Sequence, residues 1–294
     1  MKAGMPSRTS QGNTAVRARE MRRPAEERIC SDPFAHHFLS PFYLWLRRFP
    51  LVGRAYSWVR ERRFPGLRGG ILARARYIDE SLAASLRDGV EQVVILGAGN
   101  DTRGYRLAVD GIKARVFEVD HPSTQSIKTG KVRELFGGLP EHVTYVSIDF
   151  CTEDLKERLV ASGYDRSKKT FFIWEGVIYY ITARAADATL RFVTGNSAPG
   201  STIVFDYFPL SVINGTSGCR EADNLRQLVA KLGEPFIFGI DDGEIEPYLR
   251  ERGFDRIEVS TAADCKAAWF HGVNKEMKVS GMFRMVHAMH NVMN

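Results

Sequence analysis

The chain has 294 residues, 44% hydrophobic and 26% charged, with 26 Gly and 12 Pro. These fractions match ordinary globular usage and exclude a disordered, collagen-like or coiled-coil chain. Residues 1–76 hold 16 Lys+Arg against 5 Asp+Glu, a net of +11, while the remainder nets −5. Four cysteines stand far apart with no C-x-x-C pair, which argues against structural zinc or a disulfide scaffold and favours a reducing cytoplasm.

The first residues read as a basic leader, taken as flexible over 1–27, without the apolar stretch of a secretory signal. Phe38 to Val59 is rich in Phe, Tyr, Trp and Leu but is broken by Arg47, Arg48 and Arg54. That pattern disfavours a transmembrane helix and suits a lid helix packed on the body; peripheral membrane contact is the alternative. A turn at Gly66–Gly70 precedes a helix over 71–86.

From Val93 onward, short β-rich runs alternate with helix-length stretches. Strands are expected at 93–96, 115–119, 143–148, 170–174, 201–205, 256–259 and 282–287. Helices are expected near 124–136, 153–161, 183–195, 220–232 and 243–252. This alternation predicts an α/β fold, a mainly parallel sheet with helices on both faces. Residues 28–294 then form one domain: a helical lid over 28–90, core sheet over 91–208 and 241–294, and a cap over 209–240.

Chemistry concentrates at the expected strand ends. Leu96-Gly97-Ala98-Gly99 follows a buried strand, and its glycines permit a sharp turn close to a ligand. Thr102 stands where a dinucleotide fingerprint wants a third glycine, which counts against a nicotinamide enzyme. Asp120 ends the second strand, placed to hold ribose hydroxyls or to cap the next helix. Asp149 and Phe150 follow the third strand, where a carboxylate and a backbone N–H can read adenine; an N-cap is the other reading. Glu175 ends the fourth strand and needs a cation, supplied by a ligand ammonium or by an arginine. Arg74 carries a fork suited to a carboxylate, though a solvated helix face also explains it. Together these groups fit an amino acid joined to adenosine, which is S-adenosylmethionine.

The ordered set Ser31-Asp32-Pro33-Phe34 with His37-Phe38, Ala73-Arg74, Leu96-Gly97-Ala98-Gly99 with Asp101-Thr102, Phe117-Glu118-Val119-Asp120-x-Pro122, Asp149 and Glu175-Gly176-Val177 resembles the leucine carboxyl methyltransferase family. The likeness covers roughly residues 28–260 and leans towards the bacterial small-molecule branch, because Gly176 replaces the Cys of protein-directed members. It implies a Rossmann-like, class I methyltransferase fold with seven strands, N-terminal helices and an insertion after the fifth strand. It further implies that Arg74 holds the cofactor carboxylate, Gly97 with Ala98 and Gly99 the methionine portion, Asp120 the ribose, Asp149 and Phe150 the adenine, and Glu175 the methionine end. A basic residue near the N-terminus, Arg22 or Arg23, joins them.

The reaction expected is O-methylation of a carboxyl or hydroxyl group on a small, polyketide-like metabolite. Tyr180 and Tyr207 are the candidate orienting groups, and His37, Tyr77 and Asp206 the candidate acceptor pocket. No metal and no nucleic-acid partner is expected. A protein C-terminal carboxyl methyltransferase, a lipid or quinone O-methyltransferase, and a non-catalytic S-adenosylmethionine-binding protein are the alternatives.

Overall fold

A computed structural model describes residues 8–109, 111, 113–149 and 153–291. Four helices come first: α1 (Arg8–Glu20), α2 (Pro41–Arg48), α3 (Pro50–Arg63) and α4 (Leu67–Arg87). Then follow β1 (Gln92–Leu96), α5 (Arg103–Val109), β2 (Arg115–Asp120), α6 (Pro122–Phe136), β3 (Val143–Ser147), α7 (Leu155–Ala161) and β4 (Thr170–Trp174). The chain continues through α8 (Ala183–Gly195), β5 (Ser201–Tyr207), α9 (Leu210–Asn214), α10 (Arg220–Lys231) and α11 (Ile245–Arg250). It ends with β6 (Arg256–Thr261), α12 (Ala262–Trp269) and β7 (Arg284–His290).

The seven strands form one sheet in the order β3-β2-β1-β4-β5-β7-β6. β1 to β5 run parallel, and β7 lies antiparallel between β5 and β6. The order of the strands reverses between β1 and β4, and the carboxyl ends on either side of that switch are where open α/β sheets bind ligands. β1, β4 and β5 are buried along their whole length, as strands covered on both faces must be. Their side chains alternate between two cores: Val94, Leu96, Phe172, Trp174 and Phe205 on one face, Val93, Ile95, Phe171, Ile173 and Val204 on the other.

Local chemistry sets the ends of the elements. His121 caps α6, its ring accepting from Ser123 N, with Pro122 at the first helical position and Gly137 closing the helix at φ +74°. Thr261 and Asp264 form a reciprocal capping box on α12.

Three expectations need correction. The helix read as 71–86 begins at Leu67, because Gly69 and Gly70 are inside it: a Cβ on Gly69 would lie 2.1 Å from the Lys278 carbonyl oxygen. These glycines let α4 press against the C-terminal loop, so α4 belongs to the core rather than to a lid. The reading of 1–27 as a flexible leader fails from residue 8 onward. α1 is anchored by Glu20, fully buried, which accepts from Arg68 Nη2 (2.9 Å), Arg23 Nη1 (3.1 Å) and Ile29 N (3.0 Å). The last strand, expected at 282–287, lies at Arg284–His290. Residues 209–240 hold α9 and α10, and Ile237 N donates to the Tyr179 carbonyl (2.9 Å), bringing this segment over the end of β4.

One buried carboxyl braces the rim from below. Glu118 on β2 pairs with Lys128 Nζ (2.8 Å), which also donates to the Ala98 carbonyl (3.4 Å). Burial outweighs the ammonium and pushes the Glu118 carboxyl up to about 7. Its folded value therefore exceeds the ordinary 4.5, and its contribution to stability is complete below that value and lost as pH rises through about 7. Urea unfolding between about pH 5 and 8 is expected to show Glu118→Gln gaining on the parent as pH rises, by up to about 3 kcal/mol. A pH-independent difference between the two would show that Glu118 stays ionised.

Candidate active site

The turn after β1 is built by backbone constraints. Gly97 and Gly99 sit at φ +68° and +41°, where only glycine is relaxed, and a Cβ on Gly97 would meet Val177 Cγ2 at 2.6 Å. Gly97 N and Ala98 N both donate to the Val119 carbonyl (2.8 and 3.0 Å), lashing the turn to the end of β2. There Asp120 accepts from Gly99 N through Oδ2 (2.5 Å) and from His121 N through Oδ1 (2.6 Å). Burial raises the Asp120 carboxyl, with those two N–H groups opposing the rise.

Next to this turn lies a connected network of charges. Glu175, one residue past β4, shares its carboxylate between Arg74 Nε (3.0 Å) and Arg103 Nη1 (2.7 Å). Arg74 also donates through Nη1 to Asp206 (2.7 Å) and to the Tyr179 hydroxyl (3.2 Å). Arg103 reaches Asp79 (2.6 Å) and Asp101 as well. Burial opposes ionisation throughout, but Arg103, Arg74 and Arg17 hold the Glu175 carboxyl well below the usual range. Asp206 and Glu175 in turn hold the Arg74 guanidinium well above its ordinary value. On Asp206 itself burial prevails and raises the carboxyl, which Arg74 and Gly176 N pull back.

α1 lies across this rim. Arg17 pairs with Asp32 (2.9 Å) and donates to the Asn100 carbonyl (3.0 Å). Asn100 Nδ2 donates back to Thr14 Oγ1 (3.2 Å), and a Cβ on Gly99 would stand 3.3 Å from Ser10 Oγ. Asp32 also accepts from Thr102 Oγ1 (2.6 Å) and Ala35 N (3.0 Å), so the Ser31-Asp32-Pro33-Phe34 stretch works as a latch between lid and turn.

Arg74, Gly97, Ala98, Gly99, Asp120, Glu175 and Asp206 thus converge on one rim. Asp149 lies on the same rim two residues past β3, its N–H bonded to Glu153 (2.8 Å), and Phe150 falls outside the described residues. Tyr180 stacks edge-on to Tyr179 (centroids 4.8 Å apart) beside the network. The arginine partner weighed for Glu175 turns out to be two arginines.

Other candidates fall elsewhere. Tyr207 alternates to the opposite face of β5 from Asp206 and lies towards Arg284 and Asp242, with burial raising its phenol to about 12. Tyr77 projects from α4 against Trp269 on α12 (6.4 Å), towards Ser260 and the β6 edge of the sheet. His37 is exposed on a short 3₁₀ turn, stacked on His36. The N-terminal basic group at the rim is Arg17; Arg23 instead pairs with Glu20 and Glu27. Arg17, Asp79, Arg103 and Tyr179 escaped the sequence reading. Arg103 stands directly after the Asp101-Thr102 pair of the motif, which was the one local signal for it.

Removing one side of a buried pair strands the other. Arg74→Ala is expected to destabilise the protein by about 3–5 kcal/mol in urea unfolding, against about 0.5 kcal/mol or less for Arg87→Ala at the exposed end of the same helix. Equal effects would show that Arg74 is not paired in solution.

Comparison with known proteins gives the family. Residues 10–194 match the family model for leucine carboxyl methyltransferase. The chain is 32% identical over 221 residues to a Bacillus subtilis protein named "Putative S-adenosyl-L-methionine-dependent methyltransferase YktD", covering 75% of this chain and 71% of that one. It is 30% identical over 277 residues to a Mycobacterium tuberculosis protein named in the same terms, covering 86% and 84%. A solved DUF574 family protein from Streptomyces avermitilis shares the fold, with a TM-score of 0.61, 12% identity and coverage of 97% and 98%. The chain belongs to the leucine carboxyl methyltransferase family and is an S-adenosylmethionine-dependent methyltransferase.

Proposed function

We propose that this enzyme methylates an oxygen of a small-molecule acceptor, with a carboxylate as its preferred nucleophile. The cofactor fit rests on charge. Three guanidiniums (Arg74, Arg103, Arg106) meet four carboxylates (Asp79, Asp101, Glu175, Asp206) in the connected network, a formal net of −1 that the neutral Arg17–Asp32 pair beside it does not change. S-Adenosylmethionine carries a carboxylate, an ammonium and a sulfonium, a net of +1, so the two are complementary. Arg74 would hold the carboxylate and Glu175 the ammonium, and their mutual ion pair gives each a partner of the same sign as the group it would take. Each Asp120 oxygen accepts one backbone N–H and keeps a second acceptor site for a ribose hydroxyl. Asp149 stands on the adenine side. When bound, the cofactor supplies a methyl made electrophilic by the sulfonium.

The observation that carries the acceptor reading is how the neighbouring hydroxyl is engaged: Tyr179 OH accepts from Arg74 Nη1 (3.2 Å) and donates to Asp206 Oδ2 (3.3 Å), so it holds no free base. Burial also raises the Tyr179 and Tyr180 phenols, in keeping with both staying protonated at neutral pH. His121, the histidine beside Asp120, has its ring Nδ1 on Ser123 as the cap of α6. These groups position an acceptor rather than take its proton. A carboxylic acid, with a pKa near ~4, arrives already ionised and needs no base. What remains is alignment of its oxygen with the carbon–sulfur bond, a task for rigid strand ends.

Incubation with methyl-labelled S-adenosylmethionine and a metabolite extract, followed by mass spectrometry and mild alkali, tests this reading. The expected product is a small molecule whose label is released by alkali as methanol, as a methyl ester requires. An alkali-stable label would reject the carboxyl route, and a label on protein would reject the small-molecule acceptor. Asp120→Ala is expected to weaken cofactor binding by calorimetry about 10- to 100-fold, the worth of one or two hydrogen bonds to a charged group.

A further inference from the structure

We infer that the α2–α3 hairpin seats the enzyme on an anionic lipid surface. Among the described residues, eight of the fifteen exposed large hydrophobic side chains fall between Phe42 and Val59. They are ordered along the helix. Leu51, Val52, Ala55, Trp58 and Val59 recur at intervals of three and four, one stripe of α3, and all are exposed, Leu51 by 77% and Trp58 by 58%. The other side of α3, with Gly53, Tyr56, Ser57 and Arg60, is turned towards the body, while Arg54, Trp58 and Arg62 are exposed and also border the cavity there. A helix packed on a globular core in water has the reverse arrangement. A contiguous outward apolar patch of this kind marks a surface that something covers.

Charge identifies the occupant. From Asp32 to Asp79 the intervening chain carries nine arginines and a single acid, Glu61. Glu61 is already engaged, accepting from Gly66 N (2.8 Å). Arg47, Arg48, Arg54, Arg62 and Arg63 flank the stripe and are exposed, and the Arg62 guanidinium lies 4.1 Å over the Trp58 ring. Tryptophan and arginine side by side along an apolar stripe suit the boundary between acyl chains and anionic headgroups.

Behind α3 the inner wall is also cationic. A cavity of about 1270 Å³ between α1, the hairpin and residues 273–278 is lined by Arg19, Arg22, Arg54, Arg60 and Arg68 among others. Partial burial, joined by repulsion from Arg68, Arg22 and Arg54, lowers the Arg19 guanidinium, so this wall gains from a phosphate within reach.

Other occupants fit less well. A second copy of the chain would set two arginine-rich faces against each other, and nucleic acid offers little to an apolar stripe. No helix among the described residues is long and apolar enough to cross a membrane, so the contact is one of surface seating.

Co-sedimentation of the full chain with phosphatidylcholine vesicles, with and without phosphatidylglycerol, tests the inference without cofactor or acceptor, so its outcome is independent of the proposed reaction. The expected result is at least about tenfold stronger binding to the anionic vesicles, weakened by added salt. The double variants L51S/W58S and R47Q/R48Q should each lose about tenfold in binding while keeping the parent's thermal midpoint. Three results would overturn it: parent protein left in the supernatant, binding unchanged in both variants, or a concentration-dependent dimer or RNA complex that accounts for the same stripe and leaves vesicles unbound.

Discussion

Everything at the rim depends on the carboxylate that Glu175 divides between Arg74 and Arg103. An ion taken from water loses its hydration, and pairing must make good that loss. Here three elements supply the pairing: α4 through Arg74, α5 through Arg103, and the end of β4 through Glu175 itself. Asp206 on β5 completes the contact to Arg74, and its other oxygen takes Gly176 N (2.7 Å). The tips of β4 and β5 are thereby locked to the helix that precedes β1. A loss of any one charge leaves its partners buried without compensation.

A second set of contacts ties α1 to the same rim. Asp32 ties α1 to the glycine turn through Arg17 and Thr102, and these are polar contacts between a helix and a loop rather than apolar packing. Arg17, Asp32 and Thr102 are all buried, so parting them carries the cost of stranding a buried charge. The first helix thus sits over the glycine turn, while the adjoining α2–α3 hairpin offers its apolar side outward. α1 and the proposed lipid contact follow one another in the chain.

Much of this was legible in the sequence, for identifiable reasons. β1, β4 and β5 read as unbroken apolar runs because both of their faces are covered, and the acids and glycines that follow them stood out against those runs. Gly97 and Glu175 were found in this way, and Asp120 as the acid that ends β2. Residues set by alternation or by tertiary contact were not. Tyr207 sits one residue from Asp206, and only the pleat decides which of them faces Arg74. α1 was missed because its composition is polar throughout, so no apolar periodicity announced it; its fixing comes from Arg17 and Glu20, whose partners lie elsewhere in the chain. Gly69 and Gly70 resemble a turn in isolation and are helical because α4 must approach residues 278–283 closely.

The most direct measurement of the central claim is amide hydrogen exchange across the chain, with and without S-adenosylmethionine. If the charged rim receives the cofactor, protection should rise in α1, in the turn Gly97–Gly99 and at Gly176, and stay unchanged in β6 and α12. Protection confined to other segments, with these amides exchanging as before, would contradict it.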